Sequence, residues 1–272
     1  LQGYEDSIEF FDNILYDKHR TLFHPEYRQR VEQSGIPMVI RCGWHDAGTQ
    51  LGALVMFATL DAPIRVIIDP WNHTGNSKAD PFTEGDGSIA DERSLEALYT
   101  TTADILDKHF KAPGEKHANE DELRVVEYYT LGENRWKQTT QWPLPQTQIQ
   151  RWYAAADHQL SLQAPTSDDG CDVYQVDPSA STGFDNRWHA QARLKPILFP
   201  YRSEEDKKLL VYDTPPLDAD VEITGHPVVY LQLRTSAKDG QFFAYLETVD
   251  PDGRVRLLTE GQFRGLHHKV SN

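Results

Sequence analysis

Cysteine is scarce. Cys42 and Cys171 are the only two in 272 residues, too few to staple a chain of this length, and free thiols are the expectation. Positive charge is scarce as well: 27 Lys and Arg against 42 Asp and Glu give a formal charge of −15, which repels polyanions and leaves no basic stripe for phosphates. Nucleic acid is therefore not an expected partner. No apolar run approaches the roughly 20 residues that span a bilayer, and the opening LQGYEDSIEFF has neither a basic nor an apolar leader region. A soluble, cytoplasmic chain without a membrane partner is expected. There is no His-Glu-x-x-His and no Cys pair at metal-ligand spacing, so His109 with His117 and His267-His268 read as surface histidines, and no metal is implied.

What is present is enough apolar and aromatic residue, 39 % and 11 %, to build a sizeable core. Ile8, Phe11, Ile14 and Leu15 stand at helical spacing in 4–18, and Pro25-Glu26-Tyr27 opens a second helix through Val31. From Pro37 the texture changes. The run PMVIRCGW and the run PIRVIIDPW, from Pro63 to Trp71, suit strands buried on both faces, and Thr49 to Thr59 between them suits a helix. Strand, helix, strand is the order of a parallel unit with a crossover. A helix from about Ile89 to Phe110 follows, and charged residues around Pro113-Gly114 between Lys111 and Asp121 suit a boundary. Beyond it the apolar period drops to two. LRVVEYYTL, QIQRWYAA, KLLVYD, VVYLQLRT, FFAYLETV and VRLLTEGQF read as strands, with Asp250-Pro251-Asp252-Gly253 as a hairpin turn between the last two. The fold class is thus α/β followed by all-β, the latter a sandwich or jelly roll.

The chemistry-bearing residues sit where the two buried runs end. Gly43-Trp44-His45-Asp46 closes the first and Asp69-Pro70-Trp71-Asn72-His73 the second. In a parallel sheet the carboxyl ends of neighbouring strands project side chains into one crevice. Asp46 would accept the Nδ1 proton of His73, leaving Nε2 to take a proton from an attacking hydroxyl, and this requires about 2.6–3.2 Å between them. Trp44 and Trp71 are candidate substrate contacts, with wall or core as the plainer role. Gly85-Asp86-Gly87-Ser88-Ile89-Ala90 formally fits a dinucleotide fingerprint but follows a polar loop rather than a strand, so no cofactor is expected. Asn72-His73-Thr74 fits a glycosylation sequon and reads as coincidence.

These motifs resemble the family of cocaine esterase, α-amino acid ester hydrolases and X-prolyl dipeptidyl aminopeptidases, whose catalytic Asp lies in Gly-Trp-x-Asp and catalytic His in Pro-Trp-x-His. Residues 43–46 and 70–73 match both, 27 positions apart. Ile105 to Phe110 resembles the helix closing the family's hydrolase domain. Tyr129 to Trp136 with Gln141-Trp142-Pro143-Leu144-Pro145 resembles the opening of its β domain. The chain departs from the pattern at Asp69, where Gly is common, and at His45, where Tyr or Phe is common. The resemblance implies a helical segment over 1–35 that ends a cap, the C-terminal part of an α/β-hydrolase domain over 36–112, and an incomplete jelly roll over 119–272. It also implies a serine hydrolase that cleaves an ester, amide or short peptide through an acyl-enzyme.

The nucleophile of such an enzyme precedes the acid and the His on a Gly-x-Ser-x-Gly elbow. Only Ser7 and Ser34 precede Asp46, and neither has that context. The chain starts on Leu1 and ends on Val270-Ser271-Asn272, which read as cuts, so the expected partner is the missing N-terminal portion of the same protein or a second copy. A different class of function is a ligand- or carbohydrate-binding β module on an inactive hydrolase scaffold, with Trp136, Trp142 and Trp152 as stacking surfaces.

Overall fold

The computed structural model describes residues 25–73, 79–82, 99–100, 102–104, 106–107, 124–166, 170–184, 186–193, 197, 199–237 and 239–265. Helix α1 (Pro25–Ser34) starts on a proline, whose missing N–H costs nothing in a first turn, and stops at Gly35, which takes a left-handed φ of 60°. It runs one turn further than the sequence suggests. Glu32 accepts from Arg28 within the helix and from the backbone N–H of Asp61 at 2.9 Å, which ties α1 to the chain entering the second strand.

Strand β1 (Met38–Gly43), helix α2 (Thr49–Thr59) and strand β2 (Ile64–Asp69) form the expected unit, with the strands parallel from Met38 opposite Ile64 to Gly43 opposite Asp69. One face of β2 presents Ile64, Val66 and Ile68 to Ala53, Leu54 and Phe57 of α2, forming the main core. On the other face Ile67 packs with Val39. β2 is buried on both faces as its composition suggests, whereas β1 is not: from Met38 to Arg41 it is only half-buried. The reason is position, because β1 is an edge of the described sheet, whose order is β1-β2-β3-β4.

Strands β3 (Val125–Thr130) and β4 (Arg135–Thr139) complete that sheet, β3 parallel to β2 and β4 antiparallel to β3. The switch to period two near residue 123 therefore does not coincide with a new sheet. Arg124 fixes the entry of β3 by donating to the carbonyls of Phe57, Leu60 and Ala62, acceptors that the end of α2 would otherwise leave open.

The remainder is rich in small sheets. β5 (Tyr153–Ala155) pairs with β6 (Gln159–Ser161), and β7 (Gln241–Val249) pairs with β8 (Val255–Arg264) in a long hairpin. The hairpin turns at 250–253, where Gly253 has a φ of 83° and Arg256 donates to Asp250 at 2.7 Å. Helices α3 (Arg187–Arg193) and α4 (Ser203–Asp206) lie between the hairpins in sequence. Two expected strands do not form: 208–213 contributes a single bridge, Asp213 to Gln159, and 228–235 contributes none. An alternating pattern makes a strand only where a ladder partner and a covering face exist. Val228, Val229, Leu231 and Leu233 are all exposed. Of the helix expected over 89–110, the described residues 99–100, 102–104 and 106–107 are helical. The expected helix at 4–18, the boundary at 111–121 and the fingerprint at 85–90 lie outside the described residues. Among the described residues no helix is long and apolar enough to cross a membrane.

Candidate active site

Both site-bearing loops are shaped by short-range chemistry. After β1 the ladder runs one residue further, Trp44 N–H donating to the Asp69 carbonyl at 3.0 Å. The chain then turns tightly: Asp46 N–H donates to Gly43, Ala47 adopts a φ of 43°, and Thr49 donates through both N–H and hydroxyl to the Asp46 carbonyl as α2 begins. Trp44 Nε1 donates to the Tyr129 carbonyl on β3 at 2.7 Å, locking the turn to the sheet. The strand ends approach so closely that a Cβ on Gly43 would lie 1.8 Å from the Trp71 carbonyl oxygen. Only glycine fits there, a packing reason for the residue in addition to its motif.

At the end of β2, Trp71 and Asn72 are buried while the His73 side chain is 41 % exposed, and Pro70 accepts from Ala79 N–H at 2.8 Å. The buried Asn72 is no glycosylation acceptor, because a sequon must present its side chain to solvent. His73 Nδ1 stands 2.6 Å from Asp46 Oδ1, inside the expected reach. With Asp46 buried and His73 open on its other side, the carboxylate holds Nδ1–H and Nε2 is left to exchange a proton with a reactant. Trp44 is half-buried and Trp71 buried, so both brace the loops.

Three neighbours are electrostatically perturbed. Burial pushes the Asp69 carboxyl up to about 6, opposed by a two-pronged ion pair in which Arg41 Nε and Nη2 lie 2.7 and 3.0 Å from its oxygens. Burial, reinforced by Asp46 and Asp69, pushes the Cys42 thiol up to about 12, which leaves it un-ionised and no nucleophile. Burial and then the nearby Arg187 pull His45 down to about 3, so its imidazole is neutral.

His45 stands edge-on to Phe199 with centroids 4.9 Å apart. It lines a cleft with Arg187, Arg202, Leu257 and Glu260, where Arg187 donates to Glu260 at 2.8 Å and Arg202 to Glu247 at 2.7 Å. Trp188 of α3 approaches the same turn at Gly48. Sequence reasoning singled out Asp46 and His73 as a pair and Trp44 and Trp71 as substrate contacts, and it passed over Arg41 and Arg187. An arginine inside the buried run PMVIRCGW was the available signal, since such a charge is rarely buried without a partner. No hydroxyl group among the described residues is hydrogen-bonded to His73. Trp142 stands edge-on to Tyr128 against the main core, whereas Trp136 stands edge-on to Tyr129 and is exposed.

The chain is 39 % identical over 248 residues to a Mycobacterium bovis protein that carries a provisional serine-esterase name, covering 90 % of this chain and 38 % of that protein. It is 27 % identical over 255 residues to cocaine esterase of a Rhodococcus species, covering 87 % of this chain and 42 % of the esterase. Its fold is similar to the crystal structure of an aminopeptidase from a marine sediment Thaumarchaeota archaeon, with a TM-score of 0.55 and 18 % identity over 97 % of this chain and 46 % of the other. The chain thus spans about two fifths of the length of the curated relatives it matches. Residues 118–272 match the X-Pro dipeptidyl-peptidase C-terminal non-catalytic domain, more than half of the chain, and the chain belongs to that family.

Proposed function

We propose that this chain is part of a serine hydrolase in which Asp46 and His73 are two members of the catalytic triad and the serine is supplied from outside residues 1–272. The observation that carries the proposal is the 2.6 Å contact between His73 Nδ1 and Asp46 Oδ1 at the ends of adjacent parallel strands. Both residues precede the matched non-catalytic domain in sequence, so the family match and a catalytic pair in one chain are compatible. In this proposal β1, α2 and β2 belong to an α/β-hydrolase domain. Residues 1–35 belong to a cap, and 119–272 form a jelly roll that walls the cleft.

As the serine oxygen attacks the substrate carbonyl carbon, its proton passes to His73 Nε2, and Asp46 stabilises the imidazolium. Collapse of the tetrahedral intermediate breaks the C–O or C–N bond, and His73 returns the proton to the leaving alcohol or amine. Water then repeats the sequence to release the acid. The substrate is an ester, an amino-acid ester or a short peptide amide, classes that cover the names carried by the relatives. Trp44 and Trp71 serve as loop braces in this scheme.

A fluorophosphonate probe tests it. The full-length polypeptide that carries this chain should be labelled on a serine outside residues 1–272, and H73A should abolish labelling. Labelling of a serine within residues 1–272, or undiminished labelling in H73A, would overturn the assignment.

A further inference from the structure

Asp69 is the last residue of β2 and is fully buried. Arg41, on β1, reaches it with two parallel hydrogen bonds, a geometry that fixes rotation as well as distance. The same guanidinium carbon lies 4.7 Å from the centroid of the Trp71 ring. One side chain thus holds residue 69 through its carboxylate and residue 71 through its ring, two residues before His73. Arg41 itself stands five residues before Asp46 on the neighbouring strand. Of the groups facing Asp69, Arg41 favours its charge, whereas Glu127 on β3 opposes it and is itself paired with Arg65.

Stability does not account for this arrangement. A buried ion pair is costly to desolvate, and an apolar pair of similar volume fills such a site at equal or lower cost. Burial raises the Asp69 carboxyl even with Arg41 beside it, in keeping with that desolvation cost. An apolar pair would not hold the end of β2 in one rotation relative to β1. The hydrogen bond from His73 to Asp46 bridges those two strand ends, and its geometry depends on that rotation.

We propose that Arg41 and Asp69 are positioning residues that set the His73 imidazole against Asp46, an inference that rests on the catalytic role of those two. The test uses the full-length polypeptide, p-nitrophenyl acetate as substrate, and thermal unfolding alongside kinetics. D69N and R41M are expected to lower kcat by roughly 10- to 100-fold with little change in KM, the range that misplacement of a catalytic group by an ångström produces. R41M/D69L should recover the melting temperature, because no buried charge is left unpaired, while kcat stays low. Recovery of kcat together with the melting temperature in the double variant would show that the pair only supports the fold and would overturn the proposal. Full kcat in the single variants would overturn it as well. If D46N and H73A also retain activity, the catalytic assignment itself fails; if they are inactive while R41M and D69N are not, only the positioning role fails.

Discussion

The imidazole of His73 and the carboxylate of Asp46 meet at 2.6 Å although they stand 27 positions apart, because each lies in the loop that leaves one of two paired parallel strands, past Gly43 and past Asp69. A neutral histidine could hold its proton on either nitrogen; a carboxylate at Nδ1 selects the tautomer with Nε2 free. D46N would present an amide that can donate to Nδ1 and select the wrong tautomer. In the full-length polypeptide this variant should keep its melting temperature and lose kcat on the order of 10⁴-fold. A loss below about tenfold would remove Asp46 from the site.

The close approach at Gly43 makes a second expectation. A methyl group 1.8 Å from the Trp71 carbonyl cannot be accommodated without moving backbone, so G43A should destabilise the fold at or beyond the upper end of the roughly 1–3 kcal/mol typical of overpacking. Gly52 is the internal control. It lies exposed in α2 with nothing within 4 Å of a built Cβ, so G52A should stabilise by about 0.5–1 kcal/mol through helix propensity. Urea unfolding midpoints that shift in the same direction for both variants would contradict this account.

The parallel unit and its two site residues were legible because the signal is local: two apolar runs, a helix of the right length between them, and acid and histidine just past each run. The placement of β3 was not. Val125, Val126, Tyr128 and Tyr129 are buried in adjacent pairs rather than in alternation, and the pairing with β2 is held by Arg124 reaching 62 to 67 residues back to the carbonyls at the end of α2. No window of sequence contains that contact. The segment 228–235 failed in the opposite sense. Its period of two is sound, but a period specifies which faces differ and not what covers them, and the apolar face at Val229, Leu231 and Leu233 stays exposed. Arg41 was hidden for a third reason: it reads as an interruption of an apolar run, and its partner is the acid that departs from the family pattern.

Two buried groups beside the site act on the acid limb of stability with opposite signs. His45 has a folded value of about 3, below its ordinary value of 6.5, so the folded state binds fewer protons than the unfolded one. Its contribution is complete above pH 6.5 and is lost as pH falls through that value toward 3. Between pH 7 and pH 5 the loss is about 2 kcal/mol. Asp69 works the other way. Its folded value of about 6 lies above the ordinary 3.8, so the folded state binds more protons, and its contribution is present at low pH and lost as pH rises through 6. Acidification from pH 7 to pH 5 therefore returns about 1 kcal/mol through Asp69, which offsets part of the loss through His45. The two contributions separate in variants, read as the change in urea unfolding free energy between pH 7 and pH 5 rather than as absolute stability. Relative to the unsubstituted protein, D69N removes the gain and should make the change from pH 7 to pH 5 about 1 kcal/mol less favourable, whereas H45F removes the loss and should make it about 2 kcal/mol more favourable. Identical pH dependence in all three proteins would mean that neither group is buried in the state that unfolds.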